Sequence, residues 1–370
     1  MKKLSKKYRV FVGMSGGVDS SVAAYLLKKA GHDVVGVFMK NWTETMVSDA
    51  NLINTNENLC PWIADQRDMR KVCAKLNIPF YTFDFEKEYK DKVIEYFYDS
   101  YRKGITPNPD IMCNKEIKFK IFLEKCFQLG ADYIATGHYA QIRNVPSAET
   151  GEKFQLLKSK DSNKDQSYFL CTLNQFQLSK TLFPVGSYSK TNIRSIAKKI
   201  GLSTHDKKDS QGICFIGEVD LREFLKIRIK ENPGEIRTTT GEIIGKHIGL
   251  PFYTIGQRKG INIGGGIPYY VVAKDSNANE LIVAKGSLNP KLFCRTLTAD
   301  NIHWIDREPK YPYKCTAKIR YRQTDQKVTI TKVGKNVLFA EFNEKQRAIT
   351  PGQSIVFYDR NVLIGSAVIT

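Results

Sequence analysis

Apolar and polar positions in the first third of the chain follow two alternating periods. Short apolar runs stand at Tyr8–Val12, Val34–Met39, Pro79–Phe85 and Asp132–Thr136. Between them lie stretches with apolar residues at helical spacing: Ser20–Ala30, stopped by Gly31, Pro61–Leu76, Glu86–Lys103, and Glu116–Leu129, closed by Gly130. Strands alternating with helices predict a parallel sheet covered on both faces, an α/β fold. Ligands of such sheets bind beyond the carboxyl ends of the strands. The polar stretch Asn41–Leu59 and the segment Gly104–Cys113 read as loops.

The pattern then changes. It weakens from about Asn144 to Lys160. Asn192–Ile200 reads as a short helix capped by Gly201, and Leu221–Lys230 as another. Beyond it the chain is strand-like, punctuated by glycine turns at Gly241-Glu-Ile-Ile-Gly, Gly256-Gln-Arg-Lys-Gly and Ile263-Gly-Gly-Gly-Ile. Tyr269–Ala273 and Leu281–Ala284 predict a hairpin. From about Phe293 onward, alternating segments at Lys314–Tyr321, Lys327–Ile330, Asn336–Phe342 and Ser354–Tyr358 predict a small barrel. There is no internal repeat.

The 370 residues suggest roughly two or three domains, and 42% hydrophobic content supplies their cores. A formal net charge of +19 is more than the solvated Lys2, Lys3, Lys6 and Lys7 explain, and points to a polyanionic partner, nucleic acid. The few apolar residues before Gly13 are too short for a secretory signal, and no apolar run reaches membrane-spanning length, so a cytoplasmic protein is expected. The eight cysteines show no C-x-x-C spacing, so no metal centre is expected. In a reducing compartment they are free thiols, one or two of them catalytic.

The chemistry begins at Gly13-Met14-Ser15-Gly16-Gly17-Val18-Asp19-Ser20, directly after the first strand and before the first helix. Glycines let successive N–H groups converge on an anion, and the helix N-terminus adds partial positive charge. Asp19 can hold magnesium against bound phosphates. The loop lacks the lysine of a Walker A motif and the spacing of the dinucleotide fingerprint. Met39 and Gly137 lie at other strand ends and are candidates for the nucleoside wall. Two cysteines stand apart. Cys113 closes Thr106-Pro-Asn-Pro-Asp-Ile-Met-Cys at what reads as the start of a helix, where a thiolate is favoured. Asp110, three residues earlier, can accept a proton. Cys214 lies in Asp209-Ser-Gln-Gly-Ile-Cys-Phe-Ile-Gly, a glycine-flanked segment able to present a thiol.

Ser15-Gly-Gly-Val-Asp-Ser resembles the PP-loop of the ATP pyrophosphatases. With Met39-Lys-Asn-Trp, Cys113-Asn-Lys-Glu-Ile-Lys-Phe, Ala135-Thr-Gly-His-Tyr, Lys164-Asp-Gln-Ser-Tyr-Phe-Leu, the Cys214 segment, Gly256-Gln-Arg-Lys-Gly and Arg320-Tyr-Arg-Gln, the chain resembles the bacterial tRNA-specific 2-thiouridylases nearly end to end. That resemblance implies a PP-loop domain over 1–160, an adaptor over 161–220, a β-rich central domain over 221–292 and a C-terminal β-barrel over 293–370. It implies ATP on residues 13 to 20 with magnesium, and Met39 and Gly137 at the nucleoside. Asn108, Pro109 and Asp110 meet the flipped-out wobble uridine. Lys164, Asp165 and Gln166, with Arg320 and Tyr321, meet tRNA. Cys214 receives sulfur from a persulfide donor such as a cysteine desulfurase or its relay, and Cys113 releases it through a transient disulfide. The enzyme would be a monomeric sulfurtransferase. The loop from Thr43 to Cys60 is the least family-like part and is assigned no role. Other readings are a PP-loop ligase or amidotransferase acting on a small molecule, for which no ammonia source is present in the sequence, an RNA-binding protein with a vestigial ATP site, and thiolation through an iron–sulfur cluster on Cys60, Cys113 and Cys214.

Overall fold

A computed structural model describes residues 6–43, 61–147, 151–209, 212, 214, 216, 219–264 and 266–370. Cys60, nearly all of the predicted 41–59 loop and several neighbours of Cys214 lie outside the described residues. The predicted strands form at β1 (Arg9–Gly13), β2 (Asp33–Lys40), β3 (Phe80–Asp84) and β4 (Tyr133–Thr136). Alternation sends Val10, Val12, Val34 and Phe38 to one face and Phe11, Val35 and Val37 to the other, all 4% exposed or less. Both faces are therefore covered, as a parallel sheet requires. Burying each such side chain contributes about 1.5–3 kcal/mol relative to exposure.

The stretch where the pattern weakened is a hairpin of β5 (Ala140–Ser147) and β6 (Gly151–Lys158), paired from Ala140↔Lys158 to Ser147↔Gly151. Its polar positions, such as Arg143, Asn144, Glu152 and Lys153, hide its strand character. The short β7 (Thr181–Leu182) then returns to the first sheet, giving the parallel order β3-β2-β1-β4-β7. The order in which strands are added reverses between β1 and β4, which are themselves parallel, and this puts the ligand-binding crevice of such a sheet at the end of β1.

Two helices differ from expectation. The first spans Val18–Lys29, two residues earlier than expected, so Asp19 belongs to its first turn rather than to the loop. The segment read as a loop through Cys113 becomes helical at Pro109, and the helix runs on through 128. The Asn108 side chain accepts the Ile111 N–H at 3.1 Å, Pro109 occupies the first turn and Asp110 adds an acid there. Asn108, Pro109 and Asp110 together make a complete helix start.

The central region holds β8 (Gly234–Thr238), β9 (Ile243–His247), β10 (Tyr269–Asp275) and β11 (Glu280–Lys285) in the order β10-β11-β8-β9, with β10–β11 the predicted hairpin. The C-terminal strands β12 (Phe293–Trp304), β13 (Tyr313–Lys318), β14 (Gln326–Val333), β15 (Val337–Arg347), β16 (Ser354–Asp359) and β17 (Val362–Ile369) pair antiparallel. A β12–β17 ladder closes them into a six-stranded barrel, and β6 pairs with β17 at its side. The barrel reaches the first domain at one point that matters. The Thr106 N–H donates to the Pro351 carbonyl at 3.1 Å, and Gln353 Nε2 donates to the Thr106 and Pro107 carbonyls at 3.0 Å each. Thr106 Oγ1 also stands 3.2 Å from Thr254 Oγ1 of the central region. Both C-terminal units thereby fix the loop that leads into Asn108.

Candidate active site

The loop after β1 is built around space that only glycine leaves. Gly16 has φ +70°, and a Cβ there would meet the Asp65 carbonyl oxygen at 2.3 Å. Gly17 starts the Val18–Lys29 helix with no side-chain cap, which leaves its first N–H groups to an incoming anion. Ser20 Oγ accepts the Ser15 N–H at 3.2 Å, and Ser21 Oγ donates to the Gly17 carbonyl at 2.7 Å. Met14 is buried, held by its N–H on the Val37 carbonyl at 2.8 Å. Met39 lies against Gly13, its Cε 3.1 Å from where a Cβ would stand. Gly137 faces the first turn of the helix: a Cβ there would be 2.6 Å from the Ser20 nitrogen.

Asp19 is not alone at the helix start. Tyr139 donates its hydroxyl to Asp19 Oδ1 at 2.7 Å, and Lys190 Nζ reaches both carboxylate oxygens at 2.8 and 2.7 Å. Lys190, 11% exposed in its side chain, also pairs with Asp209 at 2.8 Å. Asp209 further receives Lys164 at 2.6 Å and Arg194 at 2.8 Å. Against the upward push of burial, hydrogen bonds from Lys164 and Lys190 hold the Asp209 carboxyl down at about 2. Lys207 bridges Asp65 and Asp68 at 2.7 Å each and donates to the Gly16 carbonyl at 3.1 Å. Two lysines from the segment after β7, Lys190 and Lys207, thus stand at the loop. Lys190 and Lys207 carry no motif a single sequence displays. Tyr139 and Asp209 sit inside motifs already noted, without a role attached.

The two singled-out thiols come together. Cys113 Sγ lies 3.8 Å from Cys214 Sγ, a hydrogen-bonding separation between free thiols. The Cys214 N–H donates to Asp110 Oδ1 at 3.1 Å, and Tyr89 donates its hydroxyl to the Cys214 carbonyl at 2.6 Å. Half-buried Lys118 places Nζ 3.3 Å from Cys214 Sγ. The expectation that a helix start favours a Cys113 thiolate is overturned. Cys113 is the fifth residue of its helix and fully buried, and burial, then its hydrogen bond to Cys214, pushes its thiol well above the ordinary value. Cys214 moves the other way. The hydrogen bond from Cys113 and the charge of Lys118 outweigh burial and bring it down to about 7. Burial raises the Asp110 carboxyl despite Lys118, which suits a proton acceptor.

The remaining predicted residues surround these centres. Buried Asp165 accepts from the Ser159 and Ser167 backbones at 3.1 and 3.2 Å, and Gln166 accepts the Tyr139 N–H at 2.9 Å. Lys164 is engaged by Asp209. Arg320 is exposed and donates to the Arg347 carbonyl at 2.9 Å. Tyr321 packs its ring on Phe169 at 4.4 Å between centroids, and the Phe169 carbonyl accepts from Asn114, next to Cys113. Pro109 holds the helix start beside Asn108. Among the described residues no group of three or more His, Cys, Asp or Glu is placed to hold a metal ion.

Comparison with known proteins agrees with this geometry. Residues 8–218 match the family model described as tRNA methyl transferase HUP domain, 222–285 its PRC-barrel domain, and 294–369 the aminomethyltransferase beta-barrel domain. The chain is 51% identical to a tRNA-specific 2-thiouridylase of Alkaliphilus oremlandii over 100% of its own length and 99% of that protein. It is 50% identical to one from Halalkalibacterium halodurans over 99% of this chain and 96% of the relative, and 52% identical to one from Geobacillus kaustophilus over 98% and 96%. The family models and relatives span nearly the whole chain, and the chain belongs to the tRNA-specific 2-thiouridylase family of sulfurtransferases.

Proposed function

We propose that this chain replaces the 2-oxygen of the wobble uridine, U34, of tRNA with sulfur, at the expense of ATP. The observation that carries the reading is the Cys113–Cys214 pair, 3.8 Å apart, with Cys113 on a helix whose Phe122 lies against the end of β1 where the PP-loop begins. ATP is bound on residues 13 to 20, with Met39 and Gly137 bordering the nucleoside side and Lys190 available to the outer phosphates. Asp19 is the residue that would hold magnesium, which offsets phosphate charge.

A uridine 2-oxygen is a poor leaving group, and adenylation with loss of pyrophosphate makes it a good one. Cys214 carries the incoming sulfur as a persulfide. Its outer sulfur attacks C2 and AMP departs with the original oxygen. The Cys113 thiolate, its proton passed to a neighbouring base such as Asp110, then attacks Cys214 Sγ. The old S–S bond breaks, its electron pair forms the C2=S bond, and a Cys113–Cys214 disulfide remains for a cellular dithiol to reduce. The persulfide comes from a donor such as a cysteine desulfurase or its sulfur relay. Because an interior base is unreachable, the uridine leaves its stack, and Asn108, Pro109 and Asp110 receive it. Lys164 and Arg320 offer charge to tRNA, Tyr321 offers an aromatic face, and Asp165 and Gln166 keep that segment in shape. The domains run 1–160, 161–220, 221–292 and 293–370, and the protein acts as a cytoplasmic monomer.

The test is product analysis. Incubation with ATP, magnesium, tRNA and a persulfide should yield AMP, pyrophosphate and 2-thiouridine, and Asp19→Ala should abolish all three. ADP and orthophosphate as the tRNA-dependent products would refute it.

A further inference from the structure

The helix that carries Cys113 is not a regular α-helix. From Asn114 to Ile121 it is a π-helix, in which hydrogen bonds span five residues. Lys118 is five residues beyond Cys113. In an α-helix of 3.6 residues per turn that separation is about 500°, so Lys118 would stand roughly 140° round the axis from Cys113. The wider π turn brings a residue five positions on back to nearly the same face. Both side chains consequently meet one sulfur: Cys113 Sγ at 3.8 Å and Lys118 Nζ at 3.3 Å from Cys214 Sγ.

We propose that Lys118 is a positioning residue whose charge makes Cys214, and not Cys113, the thiol that accepts sulfur from the donor, and that the π-helical segment serves to bring it there. The proposal rests on the two-cysteine reading above. Among the described residues, the groups facing Cys214 come from two helices. Cys113 and Lys118 approach from the 109–128 helix, Asp110 accepts its N–H from the first turn of that helix, and Tyr89 meets its carbonyl from the 86–102 helix. The hydrogen bond from Cys113 lowers the Cys214 thiol most, Asp110 brings the wrong sign, and burial keeps the Tyr89 hydroxyl protonated. Among these described groups Lys118 carries the positive charge, which adds to the hydrogen bond. Burial, with the charge of Lys118, also keeps neighbouring His138 neutral, so it adds no second cation.

The chemistry that follows is balanced. The Cys214 thiolate attacks the outer sulfur of R–S–SH. The donor S–S bond breaks, its electron pair leaves as R–S⁻, and Cys214–S–SH forms with no outside oxidant. Attack is fastest for a thiol whose pKa lies near the ambient pH, and Cys214 at about 7 meets that condition while Cys113 does not.

The experiment measures the rate of iodoacetamide alkylation of Cys214 against pH, by peptide mass spectrometry on the full chain, beside loading of Cys214 with labelled persulfide. Lys118→Met keeps an apolar stem, and Lys118→Arg keeps the charge. The alkylation midpoint should rise by about 1–3 pH units in Lys118→Met, slowing neutral-pH alkylation at least about tenfold, and stay near wild type in Lys118→Arg. Labelled loading should fall with it. Should the Met variant not fold, Lys118→Gln carries the same comparison. An unchanged midpoint in the uncharged variant, or equal rises in the charged and uncharged ones, overturns the proposal. A wild-type Cys214 that takes no label overturns the two-cysteine reading itself, whatever the alkylation shows, and the proposal with it.

Discussion

Gly137→Ala isolates the contact between the fourth strand and the phosphate turn. The backbone angles at Gly137 lie outside the left-handed region, so alanine fits the local conformation. What it meets is backbone: its Cβ would stand 2.6 Å from the Ser20 nitrogen and 2.9 Å from the Asp19 carbonyl carbon. Ordinary contact begins at 3.4 Å, so the first helical turn must retreat by about 0.8 Å. Such overpacking costs about 1–3 kcal/mol of stability. It also displaces the N–H groups meant for phosphate. Losing one charge-assisted hydrogen bond, about 1.5–3 kcal/mol, weakens ATP binding roughly ten- to hundredfold. Titration calorimetry with a non-hydrolysable ATP analogue, and with adenosine, reads the effect. Binding of the analogue should fall by that factor, and adenosine, which Gly137 also borders, should lose less. Wild-type affinity for the analogue, or an equal loss for adenosine, would refute the reasoning.

Lys190→Met leaves Asp19 and Asp209 facing each other without their shared ammonium. Removing one partner of a buried pair costs about 3–5 kcal/mol, and because both carboxylates keep 30% exposure the expected loss is nearer about 2 kcal/mol. Denaturant unfolding should register it, and ATP affinity should fall more than AMP affinity; equal affinities for the mutant and wild type would count against the phosphate role. Because Cys214 titrates at about 7 and its thiolate is the reactive form, persulfide loading should rise with pH through neutrality, and a flat profile would contradict the assignment. Binding to tRNA should weaken steeply with salt as counterions are released, and Arg320→Glu should lower both affinity and salt slope without changing ATP binding, as filter binding across a salt series would show.

Much of this was legible in the sequence for identifiable reasons. Sheet strands such as Val34–Met39 are buried on both faces and read as continuous apolar runs. The PP-loop is visible because glycine is obligatory where Gly16 meets the Asp65 backbone. The β5–β6 hairpin was invisible because most of its positions are only partly buried and many are polar, and its partner strand lies over two hundred residues away, a pairing local pattern cannot report. Cys113 and Cys214 stood out in the sequence, and the resemblance implied how they divide the work, but local pattern put a thiolate on Cys113. The helix start at Pro109 instead buries Cys113, and the π turn sets Lys118 beside Cys214. Lys190 is one lysine among many in a basic chain, and nothing in its neighbourhood marks it before the fold sets it against Asp19.

The central claim is that sulfur passes through Cys214 and is released by Cys113. Its most direct test is mass spectrometry of both protein and tRNA nucleosides after supplying ³⁴S-labelled persulfide, ATP and magnesium to the wild type and to the Cys113→Ser and Cys214→Ser variants. The account predicts label on uridine with the wild type, label held on Cys214 but absent from uridine with Cys113→Ser, and label on neither with Cys214→Ser, while both variants still bind ATP and tRNA. Thiolation of uridine from the persulfide by Cys113→Ser at the wild-type rate would contradict it.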